Sequence, residues 1–298
     1  MSVGSAAWLR VPDHDPVTGP SPANRLHIFK IAGNELALRV CSALVLVPIA
    51  LAAAYGGGWP FALFWSAAAI GTLYEWNLLI SAQRRVLIAG MLVLAPALGL
   101  AAAGYLRLAL IVIVAGSLGT AMLGATGRRT WIAVGVLYAA VLGVAPIMLR
   151  TDHEYGLVAI LFLFAVVWAT DTSAYAAGRA IGGPKLMPRV SPKKTWAGAL
   201  GGAIGAIIAA LVVAELSGLE AVATAILAAT LSILAQAGDL FESFLKRRFG
   251  VKDSSGLIPG HGGLMDRLDG FVAAGFAAAV IGILRGGFDT PGRGLLVW

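Results

Sequence analysis

Charge is scarce in this chain. Only 12% of its 298 residues are Asp, Glu, Lys or Arg, against 59% hydrophobic. With a mean hydropathy of +0.85, there is too little polar surface to coat a water-soluble globule. Cysteine is nearly absent as well. Cys41 stands alone, so no intrachain disulfide is possible, and no Cys or His cluster offers a zinc site. A secretory signal is missing too, because the polar, Pro-, Asp- and Ser-rich stretch from Met1 to Lys30 lacks a basic start, an apolar core and a small-residue cleavage site in that order. Finally, no G-x-x-x-x-G-K-S/T spacing occurs, which removes a Walker-type nucleotide loop.

Long apolar runs are what the sequence has in abundance. A bilayer core takes about 20 apolar residues per helix, and nine runs of that kind follow one another: Leu36 to Tyr55, Phe61 to Leu79, Val86 to Ala103, Leu108 to Leu123, Trp131 to Leu149, Leu157 to Ala177, Trp196 to Leu216, Ala221 to Ala237 and Leu268 to Leu284. The expected fold is all-α, a polytopic integral membrane helix bundle of about nine transmembrane helices. A flexible polar tail, residues 1–30, precedes a single membrane domain, residues 31–298. Gly198, Gly201, Gly202 and Gly205 crowd the seventh run, and small residues let helix backbones approach closely in lipid.

Basic residues orient the bundle, since Lys and Arg are retained on the cytoplasmic side. With the N-terminus inside, 18 of the 22 Lys and Arg residues fall in the tail and the inner loops, and only Arg107, Arg150, Arg285 and Arg293 fall outside. An N-in, C-out topology follows. The formal net charge of +7 is then mostly a record of topology, and nucleic acid is not an expected partner. Topology does not explain why the last two inner loops are also long, rich in glycine and furnished with carboxylates. That asymmetry locates the chemistry in the C-terminal half, about residues 165–270, facing the cytoplasm.

Two segments there carry it. The first holds Asp171, Tyr175 and Arg179 at i, i+4 and i+8, one helical face, followed by Lys185, Ser191, Lys193, Lys194 and Thr195. A carboxylate so close to hydrocarbon needs a partner or an aqueous pocket, and intramembrane acids mark functional sites by default. The plainer alternative is a brace between Asp171 and Arg179. The second segment runs Asp239, Glu242, Ser243, Lys246, Arg247, Lys252, then Gly260, His261, Gly262, Gly263, Asp266, Arg267 and Asp269. Carboxylates and hydroxyls clustered among Lys and Arg suit a hard cation bridging to phosphate oxygens, because Mg2+ keeps few protein carboxylates and completes its shell from water and phosphate. The glycines leave backbone N–H groups open to an anion, and a helix starting near Asp266 would aim its positive end at the same place. His261 is equally readable as a loop hydrogen-bonder. Asp152 falls on the opposite side, so Asp152→Asn should leave activity close to unchanged.

The order of residues from Ser243 to Asp269 resembles the phosphatidate cytidylyltransferase family: S-x-hydrophobic-K-R, four residues, K-D, then H-G-G-hydrophobic-x-D-R-hydrophobic-D, with every fixed position met. Asp171 to Thr195 is similar to the family's D-T-x-A-Y-x-x-G-R and S-P-K-K-T pattern. The resemblance covers the C-terminal half by motif and the N-terminal half by topology. Gly183–Pro184 and Ala197 depart from it, where the family often has a basic residue and an acid. What it implies is attack by a phosphate oxygen of phosphatidic acid on the α-phosphorus of CTP, yielding CDP-diacylglycerol and pyrophosphate at a bacterial inner membrane. It further implies Mg2+, room for a monovalent cation such as K+, and a homodimer. Expected catalytic groups are Asp239, Asp266, Asp269, Asp171 and His261, the first three as metal-site acids. Substrate contacts are expected from Lys193, Lys194, Ser191, Thr195, Arg179, Tyr175, Ser243, Lys246, Arg247, Lys252, Gly262, Gly263 and Arg267. Two other readings are open, a CTP-dependent kinase of an isoprenoid alcohol and an ion-coupled transporter. The H-G-G-x-x-D-R-x-D run argues against the first, and the unequal polar content of the two halves against the second.

Overall fold

The computed structural model describes residues 44–251, 253–257 and 262–298. The polar tail, the start of the first apolar run, Lys252 and the Gly260–His261 pair lie outside the described residues. Every apolar run reached by the description is helical: α1 (Leu44–Gly56), α2 (Gly58–Leu79), α3 (Arg84–Ala102), α4 (Leu106–Met122), α5 (Arg129–Arg150), α6 (Gly156–Ala180), α7 (Trp196–Ser217), α8 (Ala221–Arg248) and α9 (Met265–Gly286). By length and apolarity six can cross a membrane, namely α3, α5 with its preceding 3-10 turn, α6, α7, α8 and α9, while α1 and α4 are shorter apolar helices. The 22-residue α2 is diluted by Glu75, Asn77 and three tryptophans. The protein is therefore a polytopic membrane helix bundle.

Pro96 in α3 and Pro146 in α5 are tolerated because neighbouring helices re-satisfy the freed carbonyls in such bundles. Ends are set by local chemistry. Gly218 closes α7 in the left-handed conformation at φ 66°, where a Cβ would be strained. Glu220 opens α8 by accepting the amides of Ala223 and Val222, which holds its carboxyl below the usual carboxylate range.

Glycine lets α6 and α7 pack backbone to backbone. A Cβ on Gly198 would lie 2.9 Å from the Ala174 carbonyl oxygen, and one on Gly202 would lie 3.0 Å from that of Thr170. The expectation drawn from the small residues of α7 is met in this contact. The same device joins α8 to α9, where a Cβ on Gly238 would stand 2.6 Å from the Asp269 carbonyl oxygen.

At one end of the bundle Arg128 donates to the carbonyls of Ile80 and Ser81, and Trp76, Ile132, Leu245 and Met265 share a buried cluster. The four arginines assigned to the outer side gather at the other. Arg150 donates to the Ala54 carbonyl at 2.7 Å, Arg107 lies over the Phe288 ring, Arg285 donates to the Gly294 and Val297 carbonyls, and Arg293 pairs with Glu154.

Four features differ from or add to the sequence expectations. The sixth and eighth helices outrun their apolar stretches, to Ala180 and Arg248, because polar faces that line a cavity need not stop at the hydrocarbon edge. The segment after α6 is an antiparallel hairpin, β1 (Lys185–Met187) with β2 (Ser191–Thr195). A short α10 (Pro291–Leu296) tucks back against the outer end, with Leu295 and Leu296 buried. Asp152 is itself buried, accepting the amides of Glu154 and Tyr155 through Oδ1 and that of Arg293 through Oδ2 at 2.8 Å. It therefore ties α10 to the start of α6, a structural role that the sequence reading did not assign it.

Candidate active site

The end of the bundle that carries Arg128 opens into a cavity of about 670 Å3, of the size that takes a nucleotide. Its walls are the last turns of α6, the β1–β2 hairpin, the start of α7, the last turns of α8 and the first turns of α9. α6 contributes Asp171, Tyr175 and Arg179, as their i, i+4, i+8 spacing predicts. The alternative brace is not what Arg179 makes, since its Nη1 donates to the Tyr175 hydroxyl at 2.8 Å. β2 hangs Lys193 and Lys194 over the opening, and Lys194 forms an ion pair with Asp239 of α8. Thr195 lines the wall too, but its hydroxyl is engaged in accepting the Gly198 amide at 3.1 Å and so caps α7.

On α8 and α9 the acids divide into two kinds. Asp239 and Asp269 line the cavity with Asp171, and the backbone of Gly270 donates to Asp269 Oδ1 at 2.7 Å. Asp266 is already engaged through both oxygens. Oδ1 accepts from Lys246 at 2.8 Å, and Oδ2 accepts the amides of Gly263 at 2.9 Å and Ser254 at 3.2 Å. Lys246 also reaches Glu242 Oε2 at 2.6 Å, and Glu242 is buried. Asp266, Lys246 and Glu242 thus form a charge-assisted chain at the edge of the cavity, with Arg267 beside it.

Of the remaining expected residues, Ser191, Ser243, Arg247, Gly262 and Gly263 do not line this cavity, while His261 and Lys252 lie outside the described residues. The glycines have a different use here. Gly262 adopts φ 81°, and a Cβ on Gly263 would overlap the Ser254 hydroxyl, so both are required by the tight path of the loop. The Gly263 amide is aimed at Asp266. Nor is the N-terminus of α9 open to an anion, for a protein carboxylate already sits on it.

That carboxylate is Glu75 of α2, fully buried and absent from the expected set. Its Oε1 accepts the Leu264 amide at 2.8 Å and the Ser255 hydroxyl at 2.5 Å; its Oε2 accepts the Met265 amide at 2.7 Å and the Ser254 hydroxyl at 3.1 Å. The first amides of a helix have no partner within it, and a distant helix supplies one here. The signal was present in the sequence as a lone acid inside an apolar run. Gln236, also absent from the expected set, does line the cavity and donates to the Ala199 carbonyl at 3.2 Å.

Among the described residues no three His, Cys, Asp or Glu side chains converge closely enough to enclose one ion. Mg2+ that carries nucleotide phosphates needs only one or two carboxylates. Asp239 already attracts one cation, the Lys194 ammonium, and Asp171 and Asp269 face the same space. The donor set therefore fits a phosphate-bridged Mg2+.

The sequence profile described as "Cytidylyltransferase family" matches residues 37–284. The phosphatidate cytidylyltransferase of Brucella suis biovar 1 (strain 1330) is 39% identical over 270 residues, covering 87% of this chain and 97% of the relative. That of Brucella abortus biovar 1 (strain 9-941) is 40% identical over the same length, covering 87% and 96%. The Bacillus subtilis (strain 168) protein of that name is 39% identical over 129 residues, 42% of this chain and 48% of the relative. With a basic, carboxylate-lined cavity at the edge of a membrane bundle and the two Brucella relatives matched across nearly their whole length, the chain belongs to the phosphatidate cytidylyltransferase family.

Proposed function

We propose that the protein transfers a cytidylyl group from CTP to phosphatidic acid at the cytoplasmic face of the membrane, giving CDP-diacylglycerol and pyrophosphate. The observation that carries this reading is the single cavity in which Asp171, Asp239 and Asp269 face Lys193, Lys194, Arg179 and Arg267. An oxygen of the phosphatidate phosphate forms a bond to the α-phosphorus of CTP, and the bond from that phosphorus to the oxygen bridging to the β-phosphorus breaks, releasing pyrophosphate. A phosphate monoester with its second pKa near 6 is already largely a dianion at neutral pH, so the nucleophile needs no general base. Positioning and charge neutralisation are then sufficient equipment.

Lys193 and Lys194 hold the nucleotide phosphates from the hairpin side, and Arg267 and Arg179 hold charge on the opposite walls. Lys246 stays with Glu242 and Asp266 and keeps the start of α9 in place. Mg2+ held by Asp239 and Asp269, with Asp171 beside them, would supply neutralisation of the charge on the α-phosphate and on the departing pyrophosphate. Anionic phosphatidate is drawn to the basic rim, and its acyl chains stay in the bilayer.

This placement needs nine spans with the N-terminus inside and the C-terminus outside, with residues 31–298 acting as one membrane domain. The family resemblance favours a homodimer. Two labels test the reaction. Purified protein with phosphatidic acid, Mg2+ and CTP should put α-label into lipid and release γ-label as pyrophosphate. A kinase would move the γ-phosphorus into lipid and leave CDP, and a transporter would do neither. Lipid labelled from the γ position alone would overturn the proposal.

A further inference from the structure

The cavity is not uniform in its chemistry. Lys193, Lys194 and Arg267 bring positive charge to the part that holds the three open acids. Where α7 meets α8 the lining is small and uncharged, with Ala174, Gly198 and Ala199 around the side chain of Gln236.

A glutamine amide can show a ligand either donors or an acceptor, and its other contacts decide which. Here the nitrogen is spent on the protein. Gln236 Nε2 donates to the Ala199 carbonyl of α7 at 3.2 Å and, over a longer 3.4 Å, to the Ser232 hydroxyl one turn back on α8. Ser232 is held in turn from α6. Thr170 gives its one hydroxyl proton to the Val166 carbonyl at 2.7 Å, so the proton in the 2.8 Å contact between the two hydroxyls is that of Ser232. The Ser232 oxygen is left to accept. Both hydroxyls are fully buried, and the relay ends on a carbonyl that can only accept, which fixes its direction. Turning the amide over would set Gln236 Oε1 against the Ala199 carbonyl oxygen. Gln236 is half-buried and lines the cavity, and among the described residues nothing donates to its Oε1. The corner therefore shows a ligand a locked acceptor.

Few groups on the two substrates can use it. The ionised phosphates of both and the esters of phosphatidate are acceptors, which a carbonyl oxygen repels. Ribose hydroxyls donate and accept alike, so they need no locked partner. The exocyclic amine of cytosine only donates, and uracil carries an acceptor oxygen at the same place.

We propose that Gln236 Oε1 accepts a hydrogen bond from the exocyclic amine of the cytosine ring and so selects CTP over UTP. The assignment rests on the cytidylyl-transfer reading. With UTP two acceptor oxygens would face each other, and the amide is not free to turn and relieve them. Discrimination of this kind needs the repulsive contact as much as the attractive one.

Gln236→Met keeps the reach of the side chain and removes the acceptor. Its kcat/KM for CTP should fall roughly 10- to 100-fold, the effect of one hydrogen bond lost with its partner left unmatched, while that for UTP stays within about threefold of wild type. The preference for CTP over dCTP and the KM for phosphatidate should not change. In Ser232→Ala the acceptor remains but one of its two anchors is gone, so UTP should gain several-fold relative to CTP. Displacement of labelled CTP by UTP, with Mg2+ and no lipid, reads the same preference without turnover. An equal loss for both nucleotides in Gln236→Met would overturn the proposal, as would a change confined to the CTP-to-dCTP comparison. Should that variant not fold, an unchanged preference in Ser232→Ala overturns it instead. Selective CTP binding that is lost in Gln236→Met, without any transfer of α-label by wild type, would keep the role of Gln236 and sink the reaction. Transfer of α-label with an unaltered preference in the variant would sink the role of Gln236 alone.

Discussion

Asp171, Asp239 and Asp269 differ from Asp266 in what already satisfies them, and the difference predicts two kinds of loss. The first three face the cavity, so Asp239→Asn or Asp269→Asn should lower kcat by about 10²-fold or more, the scale of losing one preorganised electrostatic contact, while the thermal midpoint of the purified protein barely moves. Asp266→Asn puts an amide N–H2 or a weakened acceptor against Lys246, Gly263 and Ser254. It should lose activity and stability together. Glu75→Gln makes the same point from a distance. The amide cannot accept four donors, and leaving buried donors unmatched costs about 1–3 kcal/mol each. The variant should melt several degrees lower and show weakened lipid and CTP turnover alike, although Glu75 does not line the cavity. A variant of Glu75 with wild-type melting and turnover would show that the start of α9 holds itself.

Among the elements, α7 and the hairpin before it position Lys193 and Lys194, the basic residues on one side of the cavity. The strands are short and strongly polar, so no alternating pattern marks them as strands. They pair because α6 ends and α7 begins side by side, and Trp196 donates to the Pro184 carbonyl at 3.1 Å across the neck. The neck is set by Gly198, whose added Cβ would meet a backbone oxygen that has no room to yield. Gly198→Ala should therefore push the start of α7 away from α6, costing about 1–3 kcal/mol as overpacking does. It should also cut turnover several-fold by shifting Lys194 from Asp239, with no charge changed. Circular dichroism melts and single-turnover rates in detergent would measure both. Asp152→Ala at the other end should loosen α10 and lower the melting temperature while sparing kcat, because it lies far from the cavity.

For the molecule as a whole, the division of 18 basic residues against 4 predicts which loops an impermeant thiol reagent can reach. In a Cys41→Ala background, single cysteines at Arg84, Arg128 and Pro188 should be labelled only from the cytoplasmic side, and one at Asp289 only from outside. Labelling at Pro188 from outside alone would turn the active site away from CTP and contradict the proposed reaction. The grouping of Arg107, Arg150, Arg285 and Arg293 at one end of the bundle agrees with the same division, since each docks on groups of that end.

Apolar length and composition by themselves determined that this chain is a membrane bundle, where its helices fall and which half holds the polar cluster, because hydrocarbon imposes those constraints residue by residue. The spacing of Asp171, Tyr175 and Arg179 was enough to put them on one wall, since helical geometry is local. Which acids remain open was not legible, because Asp266 is satisfied by Lys246 from another helix and by amides of a loop, partners brought near only by folding. The same holds for Glu75, 189 residues from the Leu264 amide it accepts. Its role exists only once α2 stands beside α9, and a carboxylate buried in that contact must be matched by donors from wherever the tertiary structure supplies them.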